Sequence, residues 1–345
     1  MSAFLEMRGV TKVFGSGEKS TTAVSGFTHV IDEHAPTITA IAGESGSGKS
    51  TIARLILGFE QPTHGQVLYR GTPVHALSGE QRRQFRREVQ AIFQDPFGVY
   101  NPFYKIDHLL ETPVQTFKLA RNRADGRDQI RRALQTVGLN PDDVLGRYPH
   151  QLSGGQRQRI TIARALLLRP KLILADEPVS MVDASLRATI LESLLTLYRE
   201  FNISFIYITH DLTTAYQVAN QLIVLYRGSL VEAGPVTDVV RHPQHPYTQL
   251  LIQSIPSPDP DKPWGEGAAA TTDPAEAAHS SGCPFASRCP FVMDICRESM
   301  PPKYKVGNAA VTCYLYRDHP VVSDDELVAI AGRQSASGVP SGAVT

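Results

Sequence analysis

The feature that most restricts this chain is a short apolar run, TITAIA at 37–42, that passes directly into Gly43-Glu44-Ser45-Gly46-Ser47-Gly48-Lys49-Ser50-Thr51. Such a run reads as a buried strand, and the G-x-x-x-x-G-K-[ST] pattern after it is a loop whose glycines let backbone amides curl around phosphate oxygens. A helix beginning near Ser50 aims its positive end at the same anion. Lys49 is then expected to reach the β- and γ-phosphates of a nucleoside triphosphate, and the Ser50 hydroxyl to bind Mg²⁺. The pattern calls for a strand–loop–helix unit, and so for an α/β fold.

The rest of the chain agrees with that demand. KLILA at 171–175 and ISFIYI at 203–208 are apolar runs of the kind that form central strands. Residues 222–226, an Arg227-Gly228 turn and 229–232 read as a hairpin. Between about 104 and 168 the strand signal gives way to helical periodicity, as in DQIRRALQTVGL. The expected fold is an α/β core with a mostly parallel central sheet, antiparallel β elements and a helical insert at about 95–168.

The run at 172–175 delivers Asp176 and Glu177 at its carboxyl end, the edge where ligands bind in open α/β sheets. Asp176 is the candidate Mg²⁺ ligand, and Glu177 the group that orients or deprotonates the attacking water. A second glycine-rich helix start follows Leu152, in Ser153-Gly154-Gly155-Gln156. Ser153 suits an N-cap, and the backbone there offers a second anion site. One nucleotide needs one γ-phosphate cradle, so this second cradle is expected to serve a nucleotide held mainly by another subunit; a simple helix cap is the alternative.

Composition narrows the partners. Lys plus Arg and Asp plus Glu are 34 each, a balance that disfavours nucleic acid as partner. No run of about 18 apolar residues exists to form a spanning helix, and the first residues do not read as a signal peptide. A cytosolic context is the expectation.

With these motifs in order, the first 250 residues or so resemble the ATP-binding subunits of ABC transporters. The resemblance rests on GESGSGKST, Gln94 in AIFQDPFGVYNP, LSGGQ at 152–156, LILADEP at 172–178, Asp183 in SMVDAS and His210 in ITHD. It implies that Gln94 joins the Mg²⁺ site to the membrane-subunit contact, that Glu177 is the catalytic carboxylate, and that His210 lies near the γ-phosphate. It also implies that Phe14 stacks on adenine and Asp183 belongs to the nucleotide interface. Two ATPase subunits, of one kind or paralogous, would sandwich ATP and Mg²⁺ head to tail and drive two membrane permease subunits, fed by an extracytoplasmic substrate-binding protein. Such a subunit would sit peripherally on the cytoplasmic face of the membrane. HPYTQLL at 245–251 resembles the start of the C-terminal extension of oligopeptide/dipeptide-type importers, whose relatives also carry oligosaccharides. A soluble ABC-type ATPase of DNA repair or translation is the alternative, but one phosphate loop and only 57 residues between Gln94 and Leu152 (152 − 94 − 1) argue against it.

Eleven of the 24 prolines fall after Leu250, and 256–282 has the composition of a linker. The expected division is an ATP-binding domain at 1–250, an extension at 251–322 and a disordered tail at 323–345. All four cysteines, Cys283, Cys289, Cys296 and Cys313, lie within one 31-residue stretch of that extension. Four thiolates can hold a [4Fe–4S] cluster, the same spacing occurs in cluster-bearing members of the oligopeptide group, and a cluster is the expectation. Structural zinc and reduced structural cysteines are the alternatives.

Overall fold

The computed structural model describes residues 3–95, 98–255 and 282–332. The chain divides into two compact units, Met1–Ala76 with Ile208–Thr345, and Leu77–Tyr207.

The first unit carries two sets of strands. One is an antiparallel sheet in the order Thr21–Asp32, Ala3–Phe14, His64–Tyr69, Thr72–Pro73. The other runs Tyr304–Val306, Ala309–Val311, Ser229–Pro235, Gln221–Tyr226, Ile38–Ala42. Ile38–Ala42 is buried at every position, as an apolar run flanked on both faces must be, and pairs in parallel with Gln221–Tyr226. Asn220 locks that pair from its end: its side-chain oxygen accepts the Ile38 amide at 2.9 Å, and its own amide donates to the Ile38 carbonyl at 2.8 Å. The expected hairpin is present, with Tyr226 opposite Ser229 and with Arg227 and Gly228 both at positive φ (46° and 81°), the twist-matched turn that two-residue hairpins favour.

The extension behaves differently from a separate domain. Its strands Tyr304–Val306 and Ala309–Val311 continue the sheet alongside Ser229–Pro235, with Val311 opposite Glu232 and Ala310 opposite Ala233. The physical gain is that the backbone groups of Ser229–Pro235 on that side acquire partners instead of facing water. The tail expected to be disordered also contains order: Asp324–Gly332 is a helix that buries Leu327, Ile330 and Ala331. Ser323 starts it with a reciprocal cap, its hydroxyl accepting the Glu326 amide at 3.2 Å while the Glu326 carboxylate accepts the Ser323 amide at 3.0 Å. The linker expected at 256–282 lies almost wholly outside the described residues, as do 333–345.

In the second unit, Val89–Ile92 pairs in parallel with Leu172–Asp176, and Ser204–Thr209 follows next in the order. The strand-free stretch is helical as expected: Ile106–Thr116, Arg123–Thr136, Pro141–Val144 and Gly154–Leu167. Gly79–Glu88 and Ala184–Phe201 are further helices of this unit. No helix among the described residues is long and apolar enough to cross a membrane.

Candidate functional site

In the first unit the loop at 43–51 leaves the buried strand and enters the helix Lys49–Ile56. Two glycines are required by geometry. A Cβ at Gly43 would lie 2.2 Å from the Leu225 carbonyl oxygen, and one at Gly48, the helix N-cap at φ 101°, 2.3 Å from the Ala23 carbonyl oxygen. Both obstacles are backbone, which cannot step aside. The loop is closed by the Ser47 amide on the Glu44 carbonyl (3.2 Å), and the Gly228 amide holds the Ser47 carbonyl (3.0 Å). Lys49 is buried, and its ammonium donates to the carbonyls of Gly43 (2.7 Å) and Glu44 (2.8 Å) and to Ser47 Oγ (3.3 Å). Ser45, Gly46 and Ser50 are exposed and Thr51 half-buried. A buried cation at a helix N-terminus, ringed by glycines that exclude side chains, fits a polyphosphate with its magnesium.

Phe14 belongs to the same unit. It is partly exposed on the strand Ala3–Phe14, with the Lys12 ammonium 4.8 Å from its ring centre, so it is not a core side chain. Strand Ser204–Thr209 delivers His210, which is exposed, and Asp211 caps the helix that follows by accepting the amides of Thr213 (2.8 Å) and Thr214 (3.4 Å).

In the second unit the two adjacent parallel strands bring separate motifs together. Ile92 lies opposite Ala175, so Gln94 emerges beside Asp176 and Glu177, and Gln94 Nε2 donates to Glu177 Oε2 at 3.0 Å. Glu177 adopts φ 46°, an uncommon conformation for a side-chain-bearing residue that costs on the order of 1–2 kcal/mol. Ser180 holds it there, donating its amide (3.2 Å) and its hydroxyl (3.0 Å) to the Glu177 carbonyl. Such strain concentrates where a side chain must be aimed.

Ser153 caps the helix Gly154–Leu167 in a full capping box: its Oγ accepts the Gln156 amide (3.2 Å) and Gln156 Oε1 accepts the Ser153 amide (2.9 Å). Gly155 is buried, and a Cβ there would sit 2.7 Å from Leu186 Cδ1, whereas Gly154 has room. Asp183 is exposed and precedes the helix Ala184–Phe201, its carbonyl accepting the amides of Leu186 and Arg187 at 3.0 Å each.

The four cysteines do gather, but not as a metal site. Cys283, Cys296 and Cys313 are buried and Cys289 half-buried, and all four line one cavity of about 10 Å³ with Phe285, Pro301 and Tyr314. That is about the space of a single water. Among the described residues no group of three or more His, Cys, Asp or Glu is placed to hold a metal ion. Burial pushes the Cys313 thiol up to about 11 and raises Cys283 and Cys289 as well. The expected [4Fe–4S] cluster is therefore corrected: no metal-holding group is placed among the described residues, and the cysteines pack as small side chains around a cavity too small for more than a water.

Comparison with known proteins adds the family. Residues 32–180 match the ABC transporter family, and residues 231–296 match the C-terminal region of oligopeptide/dipeptide transporters. The oligopeptide transport ATP-binding protein OppF of Salmonella typhimurium is 39% identical over 275 residues, covering 79% of this chain and 82% of that one. The chain belongs to this family of ABC transporter ATP-binding subunits. The di/tripeptide transport ATP-binding protein DppF of Pseudomonas aeruginosa is 38% identical over 277 residues, with 80% and 84% covered. Among solved structures, the ATP-binding cassette MJ0796, a dimer bound to ADP and Pi in a post-hydrolysis state, matches with a TM-score of 0.60 at 29% identity, covering 67% of this chain and 98% of that one. The protein is thus an ATPase subunit of an ABC importer, and a free-standing repair or translation ATPase is not favoured.

What the sequence did not signal is the set of side chains gripping the loop at 43–51 from outside. Tyr247 Oη accepts the Glu44 amide at 2.9 Å, and Arg288 Nη1 donates to both Glu44 carboxylate oxygens at 3.1 and 3.0 Å. Tyr247 lies in the HPY segment and Arg288 between Cys283 and Cys289. No local pattern joins positions 244 residues apart.

Proposed function

We propose that this chain hydrolyses ATP on the cytoplasmic face of the membrane to drive uptake of oligopeptides or dipeptides through two permease subunits supplied by an extracytoplasmic binding protein. What carries the reading is the buried Lys49 in its glycine cradle, on a chain that aligns along most of its length with peptide-transport ATP-binding proteins. In this proposal residues 43–51 bind the triphosphate, with Lys49 on the β- and γ-phosphates, and Phe14 stacks on the adenine. Ser50, Asp176 and Gln94 serve the Mg²⁺ site, and Glu177 orients the water. His210 senses the γ-phosphate, while Ser153, Gly154, Gly155, Gln156 and Asp183 meet the nucleotide of a second ATPase subunit. Magnesium, when bound, neutralises charge on the transferred phosphoryl group. Glu177, aimed by its Ser180-held backbone and tied to Gln94, is suited to accept a proton from water.

The γ-phosphate adds negative charge where helix N-termini meet, so ATP favours the closed pair of subunits over ADP. The test is the purified complex in proteoliposomes, with hydrolysis and uptake followed for a peptide library and for oligosaccharides. Peptides should stimulate both; stimulation by oligosaccharides alone overturns the substrate. Glu177→Gln should retain ATP binding and lower turnover by about 10²–10⁴-fold, and undiminished turnover would sink the role given to Glu177.

A further inference from the structure

Glu44 is an odd residue for a loop that collects a polyanion, because its carboxylate adds negative charge beside the triphosphate. The first unit answers this with residues distant in the chain. Arg288 binds both Glu44 oxygens and lies over two rings, 5.8 Å from the centre of Tyr226 and 5.7 Å from that of Phe285. The Glu44 carboxylate in turn raises the Arg288 guanidinium above its already high range. Tyr226, Tyr247 and Phe285 are almost wholly buried and pack on one another at 4.6, 5.3 and 5.5 Å between centres. This aromatic cluster fixes the guanidinium, and the guanidinium fixes the carboxylate.

The cluster is itself anchored. Glu232, fully buried in the strand Ser229–Pro235, accepts the amides of Gln244 (2.9 Å) and His245 (3.0 Å). His245 Nδ1 accepts the Tyr247 amide at 3.0 Å, and Pro246 opens the helix Pro246–Gln253. Tyr247 is thereby held with its hydroxyl on the Glu44 amide. Glu44 is consequently held at its amide and at its carboxylate from outside the loop, while its carbonyl receives Lys49 from inside.

We propose that Arg288 and Tyr247 are positioning residues for ATP: through Glu44 they set the phosphate loop and screen its carboxylate, so that loosening the clasp weakens nucleotide binding more than it slows hydrolysis. The cysteine-bearing extension is then a brace for the nucleotide loop. The proposal rests on residues 43–51 being the ATP loop, and the experiment separates the two claims.

Full-length wild-type chain and the variants Lys49→Ala, Arg288→Ala, Arg288→Lys, Glu44→Gln, Tyr247→Phe and Glu44→Gln/Arg288→Ala are titrated with a fluorescent ATP analogue, and their ATPase KM and kcat are measured. Wild-type affinity in Lys49→Ala refutes the loop assignment itself. Arg288→Ala should raise Kd and KM about fivefold, as expected for a partly exposed charge-assisted pair, with kcat within about twofold. Arg288→Lys should recover part of the loss and Tyr247→Phe show a smaller one. The deciding reading is the double variant: once Glu44→Gln removes the carboxylate, the loss caused by Arg288→Ala should largely vanish. Unchanged affinity in Arg288→Ala, or a loss that persists in full beside Glu44→Gln, overturns the proposal. If Arg288→Ala does not fold, Arg288→Lys and Tyr247→Phe decide it, wild-type Kd in both refuting the clasp. Lys303→Ala, which removes the ion pair to Asp324 elsewhere in the extension, is the control and should change nothing.

Discussion

Two glycine-rich turns open helices in this protein, and they are stabilised in opposite ways. The turn before Gly154–Leu167 holds itself, through hydrogen bonds between Ser153 and Gln156 three residues apart. The turn before Lys49–Ile56 has no side-chain cap on Gly48 and is held by Gly228, Tyr247 and Arg288, all more than 170 positions away. A self-capped helix start can present its amides to whatever approaches. A loop proposed to hold a polyphosphate, which must also keep a buried lysine in register, takes its stiffness from the surrounding fold.

Alanine at one glycine of each turn should break this contrast open, and it gives the largest expected effect. Gly43→Ala drives a methyl into the Leu225 carbonyl, a backbone atom, and should cost about 3 kcal/mol or more in urea unfolding. Gly155→Ala meets only the end of the Leu186 side chain, which can rotate away, and should cost about 1–2 kcal/mol. Equal losses would mean that the first loop is not rigidly framed. Next in size is Ser153→Ala, which removes one partner of the capping box and should lower stability by about 1 kcal/mol. A much larger loss would show that the second turn also leans on distant structure.

The same contrast explains what could be read from the sequence. Ser153 and Gln156, the Arg227-Gly228 turn, the strand into Gly43 and the pairing of Asp176 with Glu177 are local patterns, and each appears where expected. The meeting of Gln94 with Glu177 needed the register of two strands that are parallel neighbours, which no single segment encodes. The long strands Ala3–Phe14 and Thr21–Asp32 were not anticipated because register shifts interrupt the alternation that marks a strand. Arg288 carries no local signal, because its partner Glu44 lies 244 positions away in the chain. The cysteine spacing was legible as clustering but not as chemistry, because whether thiols ligate or pack depends on the room between them.

Acid and alkali test the brace separately. Burial lowers the imidazole of His245 to about 4 from 6.5, and its Nδ1 accepts the Tyr247 amide, so the folded chain keeps it neutral. Below pH 6.5 the unfolded chain binds a proton that the folded one refuses, so stability falls as pH drops from about 6.5 to about 4. His29, lowered to about 4 by complete burial, adds to the same limb, and His245→Gln should therefore remove only part of the slope.

The alkaline limb is the smallest effect and bears on the cysteines directly. Cys313 is raised from 9.0 to about 11, so between those values the unfolded chain loses a proton that the folded chain retains. Stability is complete below about pH 9 and declines as pH rises toward about 11. Other tyrosines, among them the buried Tyr247 and the half-buried Tyr316, are also raised and share that range, so the useful quantity is a difference. Urea midpoints of wild type and Cys313→Ala should draw together as pH rises from 8 to 10.5, because the variant has no thiol to ionise there. A constant gap would mean that Cys313 ionises in the folded chain as readily as in the unfolded one, and the thiol would then not be held neutral by its burial.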